Sequence, residues 1–302
     1  LAREWMDQIV MSSPAVADLD NDGEPEFVVG TGTYWSNSGY YVSAFDYDRS
    51  ASDARDRLVL KWRQGTAGRV FASPAVGDIN GDGVLDVVIT SPVGDNGVDG
   101  TYLYAWRGAD GNPLFQRRIC NFMGQSQNTR SSPTVADIDG DTRPEILLSH
   151  AWEVAIFNHD GTYYTDYSNP AWPGGPSHPG CVRDHAPTTE LSYYAEYSLY
   201  ASPTIADLDG DGDTEVIIGG HNPSNPNQGM LFVWTNHATR AIPPWATWRH
   251  DERHTGNAVF ELIPPTNPTS LVSLSHPLSV WSTSNQVEVT WSGARDLESG
   301  LG

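Results

Sequence analysis

The segment "SSPAVADLDNDGEPEFVVG", residues 12–30, has acidic side chains at alternate positions and then continues into a β-branched run. Close copies begin at residues 72, 131 and 201, reading "ASPAVGDINGDGVLDVVIT", "SSPTVADIDGDTRPEILLS" and "ASPTIADLDGDGDTEVIIG". Their prolines are separated by 60, 59 and 70 residues. Because self-similarity at a fixed period is typical of repeat architectures, we expect four copies of one structural unit.

Each copy follows the same order of segments. A short apolar strand leads into an acidic turn, and a strand rich in Val and Ile follows. A more aromatic strand comes next, and its alternation in "TYLYAW" (101–106) and "MLFVW" (230–234) is typical of a strand with two unlike faces. A fourth, irregular strand is visible in "LVLKWRQ" (58–64). Four strands per repeat without a helical period predict an all-β protein, a β-propeller of four-stranded blades whose total number stays open.

The sequence also predicts where this propeller ends. Residues 1–263 form the propeller, and "HDERHTG" (250–256) is interpreted as its closing segment. Residues 264–302 form a linker rich in Pro and then the start of an Ig-like or fibronectin-like β-sandwich, because "QVEVTW" (286–291) alternates as a strand does. The alternative is a strand packed on the propeller. Since the first residue is Leu1, the chain is expected to be processed or part of a longer protein.

The net charge of the chain bears on its partners. At pH 7 the formal charge is −21, whereas nucleic acids and anionic membranes attract basic surfaces. The sequence also lacks an apolar run long enough to insert into a membrane. We therefore expect no nucleic-acid partner and no direct membrane insertion.

The acidic turns do not fit an EF-hand. An EF-hand loop requires a bidentate Glu at its twelfth position. Counted from the first Asp of each turn, that position is apolar in every copy: Val29, Ile89, Leu148 and Ile218.

A different register fits all four turns. Side-chain oxygens at positions 1, 3, 5 and 9, with the backbone carbonyl at position 7, give the oxygen-only shell that a hard cation prefers, and the flexible loop favours calcium over magnesium. The predicted ligands are Asp18, Asp20, Asp22, Glu24 and Glu26; Asp78, Asn80, Asp82, Val84 and Asp86; Asp137, Asp139, Asp141, Arg143 and Glu145; and Asp207, Asp209, Asp211, Asp213 and Glu215. Gly at position 6 permits a sharp turn in three copies. Thr142 departs from that pattern in the third.

The alternative is that these segments are acidic β-turns, since Asp, Asn and Gly are common turn residues. Electrostatics favour the metal. Two carboxylates about 5 Å apart repel by roughly 3 kcal/mol at an effective dielectric constant near 20. A bound cation would relieve this repulsion in every copy.

The turns resemble the FG-GAP (VCBS-type) repeats of integrin-α-like β-propellers, in which a loop of the form D-x-[DN]-x-D-G-x-x-[DE] lies between the first two strands of a blade. The resemblance covers residues 1–260. It implies about four structural calcium ions on one face of a propeller, in a secreted or cell-surface protein. The chain departs from the family in having Ser-Pro where the Phe-Gly signature is expected, in Thr142, and in a visible repeat count below seven.

The two cysteines, Cys120 and Cys181, are interpreted as a disulfide. Together with calcium-type loops, an even cysteine count favours an oxidising compartment. The alternative is two unrelated buried thiols.

An insertion in the third repeat, residues 169–197, is the most distinctive candidate surface for a protein or glycan partner, because exposed aromatic side chains suit sugar rings and protein interfaces. Its alternative is a loop whose aromatic side chains pack against one another. The candidate residues are Trp172, His178, His185, Tyr193, Tyr194 and Tyr197.

The sequence contains no nucleophile elbow, phosphate loop or zinc spacing. We therefore expect a non-enzymatic, extracellular or cell-surface module for binding, adhesion or scaffolding. The alternatives are a sugar-binding lectin and a calcium-dependent polysaccharide lyase. Lys61 is the only lysine of the chain, which weakens the lyase because such an enzyme needs a Lys or His base gathered with Arg.

Overall fold

The computed structural model describes residues 2–32, 40–92, 101–119, 131–138, 141–150, 153–162, 164, 198–199, 201–209, 213–221, 225, 228–239, 257–258, 270–273 and 289–292. The chain divides into two compact units, Leu1–Ala258 and Val259–Gly302. The described secondary structure is β, apart from one 3-10 helix at Ala54–Arg57. The all-β prediction is therefore confirmed.

The first two repeats each contribute four sequential antiparallel strands to a sheet. The first sheet contains β1 (Ala15–Ala17), β2 (Glu26–Gly30), β3 (Tyr41–Tyr47) and β4 (Leu58–Gly65). The second sheet contains β5 (Ala75–Gly77), β6 (Asp86–Pro92), β7 (Thr101–Arg107) and β8 (Pro113–Ile119). Strand β6 is buried along its whole length, which explains its run of Val and Ile.

The other two repeats give a third and a fourth sheet. The third contains β9 (Thr134–Ala136), β10 (Glu145–His150) and β11 (Glu153–Phe157). In the fourth, β14 (Asp213–His221) pairs with β12 (Ser198–Leu199), β13 (Thr204–Ala206) and β15 (Gly229–Thr239). A two-residue strand, β16 (Asn257–Ala258), pairs in parallel with β1 and brings the end of the first unit beside its first strand.

The second unit is described in two strands only. They are β17 (Ser270–Ser273) and β18 (Val289–Ser292), which form an antiparallel pair.

The four sheets of the first unit meet through the strands that follow the Ser-Pro motifs, namely β1, β5, β9 and β13. Strand β5 contacts β1, β9 contacts β5, and β13 contacts β9. Each Ser-Pro motif links its repeat to the next one through a serine hydroxyl. The N–H of Ser13 donates to Ser73 Oγ at 3.0 Å, that of Ser73 to Ser132 Oγ at 2.8 Å, and that of Ser132 to Ser202 Oγ at 2.9 Å. We call these four residues the serine chain.

A second contact between sheets recurs farther along the strands. In the first sheet the indole N–H of Trp62 donates to Gly108 O, and a Cβ added at Gly111 would come within 2.8 Å of the Trp62 ring. In the second sheet Phe115 occupies the place of Trp62, and a Cβ at Gly161 would come within 2.6 Å of the Phe115 ring. Both glycines have positive φ, so the aromatic ring of one sheet lies directly against a hairpin turn of the next.

The apolar side chains that these contacts bury form two clusters. One cluster spans the first, second and third sheets, and the other spans the third and fourth. Among the described residues, no helix has both the length and the apolarity needed to cross a membrane.

Candidate metal sites

Each acidic turn connects two neighbouring antiparallel strands: β1 and β2, β5 and β6, β9 and β10, and β13 and β14. The first loop comprises residues 18–26, the second 78–86, the third 137–145 and the fourth 207–215. The structure describes all of the first two loops, but Asp139, Asp211 and the side chain of Asp213 lie outside the described residues, as do Cys120, Cys181 and the predicted ligand surface. That surface comprises Trp172, His178, His185, Tyr193, Tyr194 and Tyr197.

The carboxylate at position 1 organises each loop by accepting backbone N–H groups. In the first loop Asp18 Oδ2 accepts from Gly23 N at 2.9 Å. In the second, Asp78 Oδ2 accepts from Gly83 N at 2.9 Å. The third loop repeats the contact between Asp137 and Thr142 at 2.9 Å. At position 5 the carboxylate accepts the N–H of position 7 in the same three loops. Asp22 accepts from Glu24 N at 2.8 Å, Asp82 from Val84 N at 2.9 Å, and Asp141 from Arg143 N at 2.8 Å.

The residue at position 6 has the same left-handed backbone conformation in these three loops. Its φ is +87° at Gly23, +82° at Gly83 and +75° at Thr142. A β-branched residue rarely adopts this conformation, so the third loop keeps the shape of the others at a cost in strain. Thr142 therefore does not disrupt the loop, although it departs from the sequence pattern.

The carboxylate at position 9 lies at or near the start of the strand that follows the loop, and it points back into the loop. One of its oxygens accepts the N–H of position 2 in every loop. The partners are Leu19 N and Glu26 at 2.7 Å, Ile79 N and Asp86 at 3.0 Å, Ile138 N and Glu145 at 2.9 Å, and Leu208 N and Glu215 at 2.8 Å. Each of these four carboxylates is almost fully buried.

In two of the loops the second oxygen of this carboxylate has no hydrogen-bond partner. Asp86 Oδ1 and Glu215 Oε1 are buried and have no hydrogen-bond partner, and neither has Asp20 Oδ1 in the first loop. Leaving a buried acceptor unsatisfied costs about 1–3 kcal/mol or more when it is charged. Carboxylate oxygens of Asp18, Asp20 and Asp22 lie within 4.8 Å of one another, as do those of Asp207, Asp209 and Glu215. The donor set and its unpartnered oxygens fit a hard cation.

Without a bound cation, burial disfavours the ionised form of these carboxylates. Desolvation raises the pKa of Asp86 from its usual 3.8 to about 7, against the lowering effect of the Ile79 and Asn80 N–H groups. Desolvation likewise raises the pKa of Glu26 from 4.5 to about 7, although the Leu19 N–H and Lys61 lower it. A proton and a metal ion would therefore compete for the same oxygens near neutral pH.

The first loop differs from the others because Lys61 of β4 reaches it. The ammonium Nζ lies 2.6 Å from Asp20 Oδ2, 3.0 Å from Asp46 Oδ1 and 3.7 Å from Glu26 Oε1. Burial favours the neutral amine, but the hydrogen bonds to Asp20 and Asp46 outweigh that effect and raise the pKa of Lys61. The loop motif in the sequence does not indicate that Lys61 reaches the loop; the only signal is that Lys61 is the single lysine of the chain.

The comparisons with known proteins identify the repeat. The FG-GAP-like repeat family matches residues 78–148, from the second loop to the strand after the third. No curated protein matches the chain.

Several solved structures resemble the chain weakly. The V. cholerae biofilm matrix protein Bap1 has 19% identity and a TM-score of 0.39, over 79% of this chain and 41% of that one. The C-terminal domain of Pseudomonas aeruginosa PilY1 has 18% identity and a TM-score of 0.46, over 75% and 48%. The Bacillus licheniformis rhamnogalacturonan lyase PL11 has 17% identity and a TM-score of 0.40, over 78% and 48%.

The chain thus spans less than half the length of each of these three proteins. Similarity at this level assigns no function to it. The family match does confirm the resemblance drawn from the acidic turns, since residues 78–148 match the FG-GAP-like repeat.

Proposed function

We propose that the first unit is a calcium-stabilised propeller-like module in which each acidic loop holds one structural calcium ion. The observation that carries this proposal is the pair of unpartnered buried oxygens, Asp86 Oδ1 and Glu215 Oε1, at the same position of two different loops. Native proteins rarely leave buried polar atoms without a partner. A cation bound in each loop would give each of these oxygens a partner of the same kind.

The proposed ligands are those at positions 1, 3, 5 and 9 of every loop, together with the carbonyl of position 7. Calcium suits the site better than magnesium, because calcium accepts six to eight oxygens in variable geometry. When bound, calcium would neutralise the carboxylates and tie the start of the strand after the loop to the end of the strand before it. The chain's own residues already orient the ligands, through the N–H groups that hold positions 1, 5 and 9.

The propeller-like arrangement is supported by the repeated contacts between successive sheets. The serine chain joins the strands that follow the Ser-Pro motifs in all four sheets, and β16 lies beside β1. We propose that residues 1–263 form this module and that residues 264–302 begin an Ig-like sandwich.

The proposed role is extracellular or cell-surface binding or scaffolding without enzymatic activity, consistent with an FG-GAP-like repeat. A protein or glycan would bind at the insertion. A disulfide between Cys120 and Cys181 would restrict the conformation of this insertion. This part of the proposal rests on the sequence alone.

Thermal unfolding of the purified chain with 2 mM calcium and after calcium removal tests the metal proposal. A site with a dissociation constant tenfold below the calcium concentration contributes about 1.4 kcal/mol, so four sites contribute about 6 kcal/mol. We expect a lower melting temperature without calcium and a loss of part of this effect in Asp86→Asn. The matched control is Asp110→Asn, an acid at the turn after β7 of the same sheet. An unchanged melting temperature would contradict the proposal.

A further inference from the structure

Lys61 occupies a β-bulge in β4. Along β3 and β4, Ala44 pairs with Trp62 and Phe45 pairs with Leu60, so Lys61 is an extra residue without a cross-strand partner. A bulge of this kind redirects the side chain of the extra residue. The Lys61 side chain is turned towards the first loop and is only 13% exposed.

At the loop, Lys61 contacts the oxygens that a metal ion would need. Glu26 Oε2 is engaged by the Leu19 N–H at 2.7 Å, so Oε1 is the oxygen left for a metal, and Lys61 Nζ lies 3.7 Å from it. Asp20 has one oxygen at 2.6 Å from Lys61 and another that is buried without a partner. A calcium ion bound to Asp20 and Glu26 would therefore lie within a few ångströms of the ammonium and be repelled by it.

The second loop lacks this lysine. Strands β7 and β8 contain the same bulge, since Ala105 pairs with Phe115 and Trp106 with Pro113, and the extra residue there is Leu114. Arg107, which is opposite Asp86 in the ladder, pairs with Asp110 at 3.6 Å. Asp86 Oδ1 consequently stays without a partner, whereas its counterpart Glu26 Oε1 faces a positive charge.

We infer that Lys61 is a tethered cation that competes with calcium for the first loop, so that this loop binds calcium more weakly than the second loop does. The inference rests on the proposed function, because it assumes that the first loop has the calcium ligands proposed there. The ammonium compensates the acidic side chains when the metal is absent, so the first sheet depends less on calcium than the second. Lys61 acts here as a specificity-determining residue and not as a ligand.

The test compares Lys61→Met with the wild-type chain by calorimetric titration with calcium. We expect the variant to bind one more calcium ion in the affinity range of the other loops, which corresponds to at least a tenfold gain at the first loop. The matched control is Arg63→Met, which removes a positive charge from the same strand, where Arg63 pairs with Asp7 at 2.8 Å. Arg63→Met should bind calcium as the wild type does.

Two double variants of Lys61→Met serve as controls for calcium binding at the first loop. Lys61→Met leaves the carboxylates of Asp20, Glu26 and Asp46 without their ammonium partner, which could prevent folding. In that case Lys61→Met/Asp46→Asn is measured instead, because it removes one positive and one negative charge beside the loop. Lys61→Met/Asp22→Asn removes a predicted ligand of the first loop and should abolish the gained site, which assigns that site to this loop.

The outcomes separate this inference from the proposed function. If the wild type binds calcium and neither Lys61→Met nor Lys61→Met/Asp46→Asn binds more of it or binds it more tightly, the competition is overturned while the other sites stand. If the wild type binds none and Lys61→Met binds one ion, the competition stands and the proposed function of the other loops fails. If none of the proteins binds calcium, both are wrong.

Discussion

Replacing Asp86 by Asn should remove the pH dependence of stability that the second loop gives to the metal-free protein. The carboxylate is 1% exposed, and its pKa is raised from 3.8 to about 7 by desolvation. Since a tenfold change in proton affinity corresponds to about 1.4 kcal/mol, the ionised form costs the folded state about 4 kcal/mol. Asn has the same shape and carries no charge, so it removes this cost at neutral pH.

Proton linkage determines whether the stability rises or falls with pH. The folded state binds the Asp86 proton more tightly than the unfolded state does, so between pH 4 and about 7 unfolding releases protons and stability falls as pH rises. The stabilisation by this group is complete below pH 4 and is lost above pH 7. Between pH 5 and pH 8 the loss amounts to about 3 kcal/mol in calcium-free buffer.

Urea unfolding followed by tryptophan fluorescence, in calcium-free buffer at pH 5, 6, 7 and 8, measures this difference. Asp86→Asn should lack the loss of about 3 kcal/mol, and at pH 8 it should be at least as stable as the wild type. With 2 mM calcium the order should reverse, because the wild type gains the metal and the amide cannot replace an anionic ligand. If the variant and the wild type have the same pH dependence in calcium-free buffer, the reasoning about the buried carboxylate is refuted.

Three pairs of substitutions test the rest of the structure by urea unfolding. Thr142→Gly should stabilise the protein by about 1 kcal/mol, because it relieves the strain of a β-branched residue at φ +75°, and Gly83→Thr should do the opposite at φ +82°; equal stabilities would contradict the shared loop geometry. Ser73→Ala should cost about 1–2 kcal/mol by leaving the Ser13 N–H without its acceptor, whereas Ser50→Ala, on an exposed turn, should cost less. Gly111→Ala should cost about 1–3 kcal/mol, because its Cβ would overlap the Trp62 ring at positive φ, and Gly65→Ala, whose Cβ meets no atom within 4 Å, is the control.

The positions of the acidic turns between strands could be predicted because the residues that define each turn are close together in the sequence. Alternate carboxylates and a glycine at position 6 define a turn whose hydrogen bonds span at most eight residues, as the contacts of Asp18 with Asp22 and Gly23 illustrate. The all-β character was equally readable from the alternation within strands. Thr142 was harder, because the conformation at position 6 is imposed by the N–H bond to Asp137 and the residue itself disfavours it.

Features that depend on contacts distant in sequence were not predicted. Lys61 is 41 residues from Asp20, and it reaches the first loop only because a bulge shifts the register of β4. No sequence pattern marks the position of such a bulge. Similarly, the serines that precede Pro74, Pro133 and Pro203 look like ordinary turn residues until the neighbouring sheets are in place.

The serine chain also bears on how the protein folds. Its three hydrogen bonds join residues that are 60, 59 and 70 positions apart, so each closes a loop of one repeat. Because the entropy of closure grows only with the logarithm of loop length, the longest of these loops costs only about 0.2 kcal/mol more than the shortest. Docking of each sheet on its neighbour is then a similar elementary step along the unit. We therefore expect folding to propagate from sheet to neighbouring sheet, with amide exchange slowest in the central sheets, which have a neighbour on either side.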